Sequence, residues 1–272
     1  MKSEVTQDEA GKAQEKEEGP QRLSSVTAAL QLLKVFSEHE PELGISVLAK
    51  RMGIAKSTAH RLASALLAEG MLEQNMENGR YRLGIQLFTL GALVRRRFDV
   101  AKQAVPFLHV LREHTDETVH LAVLDDTSIV YLFNLESDQA IRMRSYIGVR
   151  KPAFCTAEGH VLLASRTPDV ISRVLKEGLA ARTPKTNTDT QVFLKTLEAA
   201  RRDGYSIDDE ESEVGMRGIA APVRDISGNV VAAVGVGGPA QRLTKKALRA
   251  AVPHLLTAAE GISATLGYHR LL

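Results

Sequence analysis

Apolar residues recur at helical spacing through the first third of the chain, and in the second half they alternate with period two. Val26, Leu30, Leu33 and Phe36 form the inner stripe of a helix that Ser24 or Ser25 can cap and that runs to about residue 38. Past Pro41 and Gly44, Ser46 is placed to cap a short helix over 47–52. Gly53 ends it, because glycine adopts a left-handed cap most easily. A third helix spans 56–68 and stops at Gly70. Residues 71–74 and 80–83 read as two short strands around the turn 75–79, and two apolar-periodic helices follow over 85–97 and 99–115.

The second half predicts a hairpin, 118–124 with 128–134, turning at Asp125, Asp126 and Thr127. A further strand is expected over 140–145, then helices near 157–165, 168–177 and 190–203. A second hairpin, 217–224 with 229–236, turns at Ser227 and Gly228, and a helix over 244–266 closes the chain. Strands, then helices, then strands and a helix predict an α+β domain on an antiparallel sheet.

Three short helices followed by a two-stranded wing predict a winged helix-turn-helix, whose third helix enters the major groove of double-stranded DNA. At about 100° per residue, Leu62, Ala63 and Leu66 fall within about 60° of Ala59 and make one apolar face. Ser57, His60, Arg61, Ser64 and Ala68 lie opposite. Arg61 is the candidate for a bidentate contact to a guanine edge. Ser57 and Thr58, with the amides of the helix start, suit phosphate oxygens, and Lys56 would neutralise a phosphate. His60 can take a base or a phosphate. On the wing, Arg80 and Arg82 alternate with Tyr81 and Leu83, so both share one face toward the flanking backbone. The cluster Arg95, Arg96 and Arg97 reads either as a phosphate contact or as a solvated helix end.

Charge sharpens this picture. The net charge of +2 is unevenly spread: residues 1–21 carry three Lys and six acidic groups, and residues 22–97 carry eleven Lys/Arg against six Glu. The middle segment is therefore at +5 and the remainder neutral, as expected for a nucleic-acid module joined to a second domain. The polar first 21 residues bury too little apolar surface to order themselves and are expected to form a disordered tail. With 44% hydrophobic and 25% charged residues, the rest is of ordinary globular composition. No run approaches the roughly 18 apolar residues of a membrane span, and no signal peptide is visible, so a cytoplasmic protein without a membrane partner is expected. A lone cysteine, Cys155, excludes an intrachain disulfide framework and a cysteine-cluster zinc site.

Several separated segments resemble the IclR family of bacterial transcription regulators. In the first part they are Ala55-Lys56-Ser57-Thr58-Ala59-His60-Arg61-Leu62 and Asn78-Gly79-Arg80-Tyr81-Arg82-Leu83-Gly84. In the second they are Val119-His120-Leu121-Ala122-Val123-Leu124, Gly204-Tyr205-Ser206-Ile207-Asp208-Asp209-Glu210-Glu211 and Gly218-Ile219-Ala220-Ala221-Pro222-Val223. The resemblance spans about residues 22–267. It implies a head over 22–84, a linker helix over 85–98 and a GAF-like effector domain over 99–270. It further implies a dimer bridged by the N-terminal and linker helices, often doubled to a tetramer, acting on a pseudo-palindromic operator. It implies a small-molecule effector, commonly an organic or aromatic acid, at Ala157, Glu158, Asp208, Met216, Gly218, Gly235 and Gly237. The chain departs from the family's habit at several of these. Gly218 stands where cysteine is common, Gly235 and Gly237 where serine is, Glu158 where a small or apolar residue is, and His160 where lysine is. The glycines predict a roomier, less polar pocket. A pocket carboxylate disfavours an anionic ligand unless paired, which favours a neutral, larger or aromatic effector, or one donating to Glu158. Alternatively Glu158 points to solvent.

Other constellations carry less. The carboxylates Asp208, Asp209, Glu210, Glu211 and Glu213 read as a solvated loop before a metal site. Gly235-Val236-Gly237-Gly238 lacks the spacing of a phosphate loop. Cys155 near His160 has no evident orienting partner, so a catalytic dyad is disfavoured. No enzyme and no cofactor is expected. The readings in play are a ligand-responsive regulator, most readily a repressor, a constitutive DNA-binding protein, and an enzyme tethered to DNA.

Overall fold

The computed structural model describes residues 24–95 and 99–268. The expected tail and the side chains of the Arg95–Arg97 cluster lie outside the described residues. Two compact units divide after residue 97.

The first unit is built from α1 (Ser25–Leu33), α2 (Ile45–Met52), α3 (Lys56–Ala68), β1 (Leu72–Gln74), β2 (Tyr81–Leu83) and α4 (Ile85–Arg95). Ser24 caps α1 by accepting from the Thr27 amide at 3.1 Å. The inward stripe is Ala28 and Leu32, not the predicted one: Val26 is 70% and Leu30 55% exposed. The helix also stops at Leu33 rather than near 38, because the chain turns so that Val35 and Phe36 pack on the core from outside the helix. In α2 the cap is Gly44, without a side-chain bond, and Ser46 lies inside the helix. Gly53 closes it at φ +64°, in the left-handed region expected. Leu32, Leu48, Leu62, Leu66, Leu72 and Tyr81 form the core. A feature invisible in the periodicity is the bridge from Leu43 to Tyr81, two backbone bonds of 2.9 Å that widen the wing hairpin.

The second unit begins with α5 (Asp99–Thr115) and continues with β3 (Thr118–Asp125), β4 (Ser128–Leu135), β5 (Arg150–Pro152), α6 (Ala157–Ala164), α7 (Pro168–Glu177) and α8 (Thr190–Asp203). It ends with β6 (Ser206–Asp209), β7 (Met216–Arg224), β8 (Val230–Pro239) and α9 (Lys245–Thr265). The strands pair antiparallel in the order β5-β4-β3-β8-β7-β6, so each predicted hairpin contributes two neighbouring strands. Alternation assigns the faces. Val119, Leu121, Ile219, Ala221, Val234 and Val236 bury against α5 and α9, whereas Ala122, Ala220 and Ala233 join the cluster of α6, α7 and α8.

The strand expected over 140–145 does not form. That segment instead lies along the sheet without a ladder. It is held by side chains: Thr118 Oγ1 donates to the Met143 carbonyl at 3.0 Å and Asn134 Nδ2 to the Ser145 carbonyl at 2.7 Å. The edge strands are β5 and β6, both of which sequence reasoning passed over because three or four residues carry no measurable period, and β6 holds Asp208 and Asp209 that had read as loop.

Candidate nucleic-acid interface and ligand pocket

The sequence division of α3 matches the structure residue by residue: Ala59, Leu62, Ala63 and Leu66 are buried. Lys56, Ser57, His60, Arg61 and Ser64 are exposed, and Thr58 is half-buried at the first turn. Among the described residues nothing bonds to the side chains of Lys56, Ser57, His60 or Arg61. Ala55, the residue before the helix, provides no side-chain cap, so the first amides stay available to an anion.

The wing turn is stiff. Gln74 Nε2 donates to the Gly79 carbonyl, the Glu77 amide to Asn75 Oδ1 and the Arg80 amide to Asn78 Oδ1, each at 2.9 Å. Its two arginines differ, which the alternation did not show. Arg82 lies 2.9 Å from Glu73 and 3.6 Å from Glu42, whereas no side chain among the described residues pairs with Arg80. Hydrogen bonds from Asn78 and Asn75 hold Glu42 below the usual carboxylate range, so it stays ionised beside Arg82.

In the second unit a cavity of about 20 Å³ opens on the sheet face beneath α6. Register explains its floor. Gly235 pairs with both His120 and Ala220, and Gly237 with both Thr118 and Gly218, so three glycines meet beside one histidine on a single face. Of the seven expected positions, Glu158, Asp208, Met216, Gly218 and Gly237 line the cavity. Ala157 packs into the core instead, and Gly235 lies behind the Glu158 side chain. A Cβ on Gly235 would run into Glu158 Oε1, and one on Gly237 would meet Met143 Sδ at 2.5 Å and His120 Cε1 at 3.1 Å. The space the glycines free is therefore taken by Glu158 and Met143. The pocket is not the roomier, less polar one that the glycines predicted.

Thr156 caps α6, accepting from the Gly159 amide at 3.2 Å, and this turns Glu158 inward to 7% exposure rather than toward solvent. Burial pushes its carboxyl up to about 7, although its place in the first turn of a helix favours the anion. Nearby His120 is fully buried, and among the described residues neither ring nitrogen has a hydrogen-bond partner; Nδ1 stands 3.6 Å from Glu158 Oε1. Burial pushes the imidazole down to about 3, so it is neutral. Tyr131 packs against its ring at 4.9 Å, and Lys151 supplies a cation to the cavity wall. Sequence reasoning missed His120, Tyr131, Met143 and Lys151 as site residues. The one available signal was a polar residue interrupting the apolar run Val119–Leu124.

Asp208 is internally engaged, accepting from the Glu211 and Ser212 amides at 2.7 and 3.3 Å and from the Ser212 hydroxyl. The neighbouring carboxylates are neutralised by cations rather than converging on one point: Asp209 and Glu210 share Arg217 and Lys185, Asp209 also faces Lys245, and Glu213 faces Lys151. His160 bonds to the Phe154 carbonyl at 2.8 Å and to Ser206 Oγ at 3.1 Å, leaving no nitrogen to serve Cys155. Burial pushes that thiol up to about 12, the opposite of an activated nucleophile. Among the described residues no helix is long and apolar enough to cross a membrane.

Comparison with known proteins matches both units. Residues 25–75 fit the family described as the IclR helix-turn-helix domain, and residues 92–264 that described as the bacterial transcriptional regulator IclR C-terminal domain. The chain is 38% identical over 252 residues to the HTH-type transcriptional regulator KdgR of Escherichia coli (strain K12), covering 92% of this chain and 95% of that one. It is 32% identical to the HTH-type transcriptional repressor AllR of Salmonella typhi, covering 92% of each. Among solved structures, an IclR homolog from Microbacterium hydrocarbonoxydans, complexed with 4-hydroxybenzoate, superposes with a TM-score of 0.78 at 28% identity. The match covers 89% of this chain and 99% of that one.

Proposed function

Because the chain belongs to the IclR family of bacterial transcription regulators, we propose that it is a dimeric repressor whose operator affinity a small effector alters. The observation that carries the DNA half is α3, with one face in the core and the other free, exposed and headed by Arg61. Arg61 reads a base edge. Lys56, Ser57, Thr58, His60 and Arg80 hold phosphate, and Arg82 does so less directly because Glu73 and Glu42 engage it.

Two helices support the dimer. Val26 and Leu30 on α1, and Ile85, Phe88 and Leu93 on α4, are apolar residues left exposed by the described residues. A second copy covering them gives two α3 helices and hence a pseudo-palindromic site. The repressor sense follows a relative described as a repressor. For the effector, a cavity of about 20 Å³ supports a small polar molecule. An aromatic ring needs a site on the order of 150 Å³ and hence displacement of Met143. A coupling of about 1–3 kcal/mol between the two sites is enough for regulation.

The test is a footprint titration of the full chain on DNA flanking its own gene, at two salt concentrations. Protection of a pseudo-palindrome that weakens steeply with salt is expected. Absence of even non-specific binding at low salt overturns the proposal.

A further inference from the structure

We infer that Glu158 and His120 form a hydroxyl-reading pair, between which a small effector places one hydroxyl that donates to one group and accepts from the other. The inference rests on the effector reading of the pocket and goes beyond it to the chemistry of the ligand. Four observations meet here.

First, His120 is fully buried on the cavity wall with both ring nitrogens unpartnered among the described residues, which is costly unless a ligand satisfies them. Second, Glu158 Oε1 and His120 Nδ1 are 3.6 Å apart, too far to bond to each other and close enough for one group to touch both. Third, the floor is shaped for this carboxyl: a Cβ on Gly235 would occupy the place of Glu158 Oε1, so glycine at 235 and glutamate at 158 form one feature. Fourth, Lys151 lines the same cavity. Its charge opposes an ammonium ligand and suits an anionic group at the ligand's other end.

A neutral imidazole offers one donor and one acceptor, and a carboxyl offers acceptors or, when protonated, a donor. A hydroxyl is the group that both donates and accepts, so it fits either arrangement of the shared proton. A bare carboxylate against Glu158 only accepts and brings two like charges together. A site of this kind rejects the analogue lacking the hydroxyl, since both protein groups are then left unpaired.

The experiment follows thermal unfolding of the full chain with matched probes that differ by one hydroxyl: glycolate against acetate, lactate against propionate, and ethylene glycol against ethanol, with ethanolamine as the ammonium probe. Hydroxylated members are expected to stabilise the chain, with affinities about 100-fold or more above their partners. Glu158→Gln and His120→Asn should each erase that discrimination. A second arm needs no ligand. His120→Leu should raise the unfolding midpoint by about 2–4 °C, because it removes an unsatisfied buried group.

Equal stabilisation within each pair, none by any probe, or a preference for ethanolamine overturns the inference, as does a lowered midpoint for His120→Leu. Footprinting separates the two levels. Intact operator protection without hydroxyl discrimination sinks only this inference, whereas loss of DNA binding by the unaltered chain sinks the regulator reading.

Discussion

The outer face of α3 and the floor of the β3–β8–β7 pocket are both polar surfaces mounted on regular elements, yet they are held at very different cost. On α3, Lys56, Ser57, His60 and Arg61 stand in water without protein partners, and water satisfies them at no expense to stability. In the pocket, neither ring nitrogen of the buried His120 is bonded among the described residues, a penalty of about 1–3 kcal/mol that the rest of the domain must offset, and Glu158 is held where burial disfavours its charge. A surface for DNA can therefore be kept ready on one contiguous segment. A pocket for a small molecule is assembled from α6 and all six strands of the sheet and supported by two cores, one on each face of the sheet.

The contrast is sharpest at two adjacent residues. Leu62 points inward from α3 and is 4% exposed, beside the free Arg61. Leu62→Ala should lower unfolding stability by about 2–5 kcal/mol, through lost burial and an unfilled cavity. Chemical denaturation of the full chain checks this, and a loss under about 1 kcal/mol would remove Leu62 from the core.

Those costs also explain what the sequence disclosed. The helical period of 56–68 puts Ala59, Leu62, Ala63 and Leu66 inward and Ser57, His60, Arg61, Ser64 and Ala68 outward, as observed, because exposure and burial alternate within one segment. The same reasoning succeeded only in part on α1, where Leu33 packs on the core but Val26 and Leu30 are left uncovered by the described residues. A period reveals an apolar face but not what covers it. The hairpins were legible from alternation and turn residues. The meeting of His120 with Gly235 depends on register between β3 and β8, which are distant in sequence, while Gly218 faces Gly237 inside the second hairpin, whose exact register the turn residues did not fix. Three glycines therefore looked like empty space, when Glu158 and Met143 fill two of the places.

A second substitution probes the cost of the dry site. Burial holds Glu158 at about 7 against an ordinary 4.5, so the folded chain keeps a proton that the unfolded chain loses between those values. Its contribution to native stability therefore falls as pH rises from about 4.5 to about 7 and stays low above, by at most about 3 kcal/mol. Glu158→Gln removes the titration. Its stability relative to the unaltered chain should grow across that window and level off above it. His120 and His160, pushed down to about 3 and 4, gain stability with rising pH up to about 6.5, but they do so in both proteins and cancel in the difference. Urea unfolding at pH 5 and pH 8 reads the effect, and a difference that does not change with pH would mean that Glu158 ionises freely.

On the wet surface the effects are smaller and appear in binding rather than folding. Arg61→Ala should leave stability within about 0.5 kcal/mol, as exposed positions do, while weakening operator binding by about 1–3 kcal/mol and relaxing preference at one base pair. Unchanged preference in a titration against single-base operator variants would assign base reading to another residue.

The smallest effect separates the wing arginines, which alternation had treated alike. Arg80 has no ion pair among the described residues and feels Glu42 only at longer range, so Arg80→Ala should weaken binding to all sequences and reduce the slope of log affinity against log salt by about one. Arg82 already faces Glu73 and Glu42, and exposed pairs of this kind are worth about 0–1 kcal/mol. Arg82→Ala removes a cation that two carboxylates have partly neutralised, and its main consequence for DNA is to uncover them. Glu73→Gln should therefore restore much of the affinity lost in Arg82→Ala, yet none of that lost in Arg80→Ala. If the rescue is equal in both backgrounds, Glu73 acts through general repulsion and the two arginines contact phosphate alike. If it is confined to Arg82, the wing carries one phosphate anchor and one arginine that screens its own acidic neighbours.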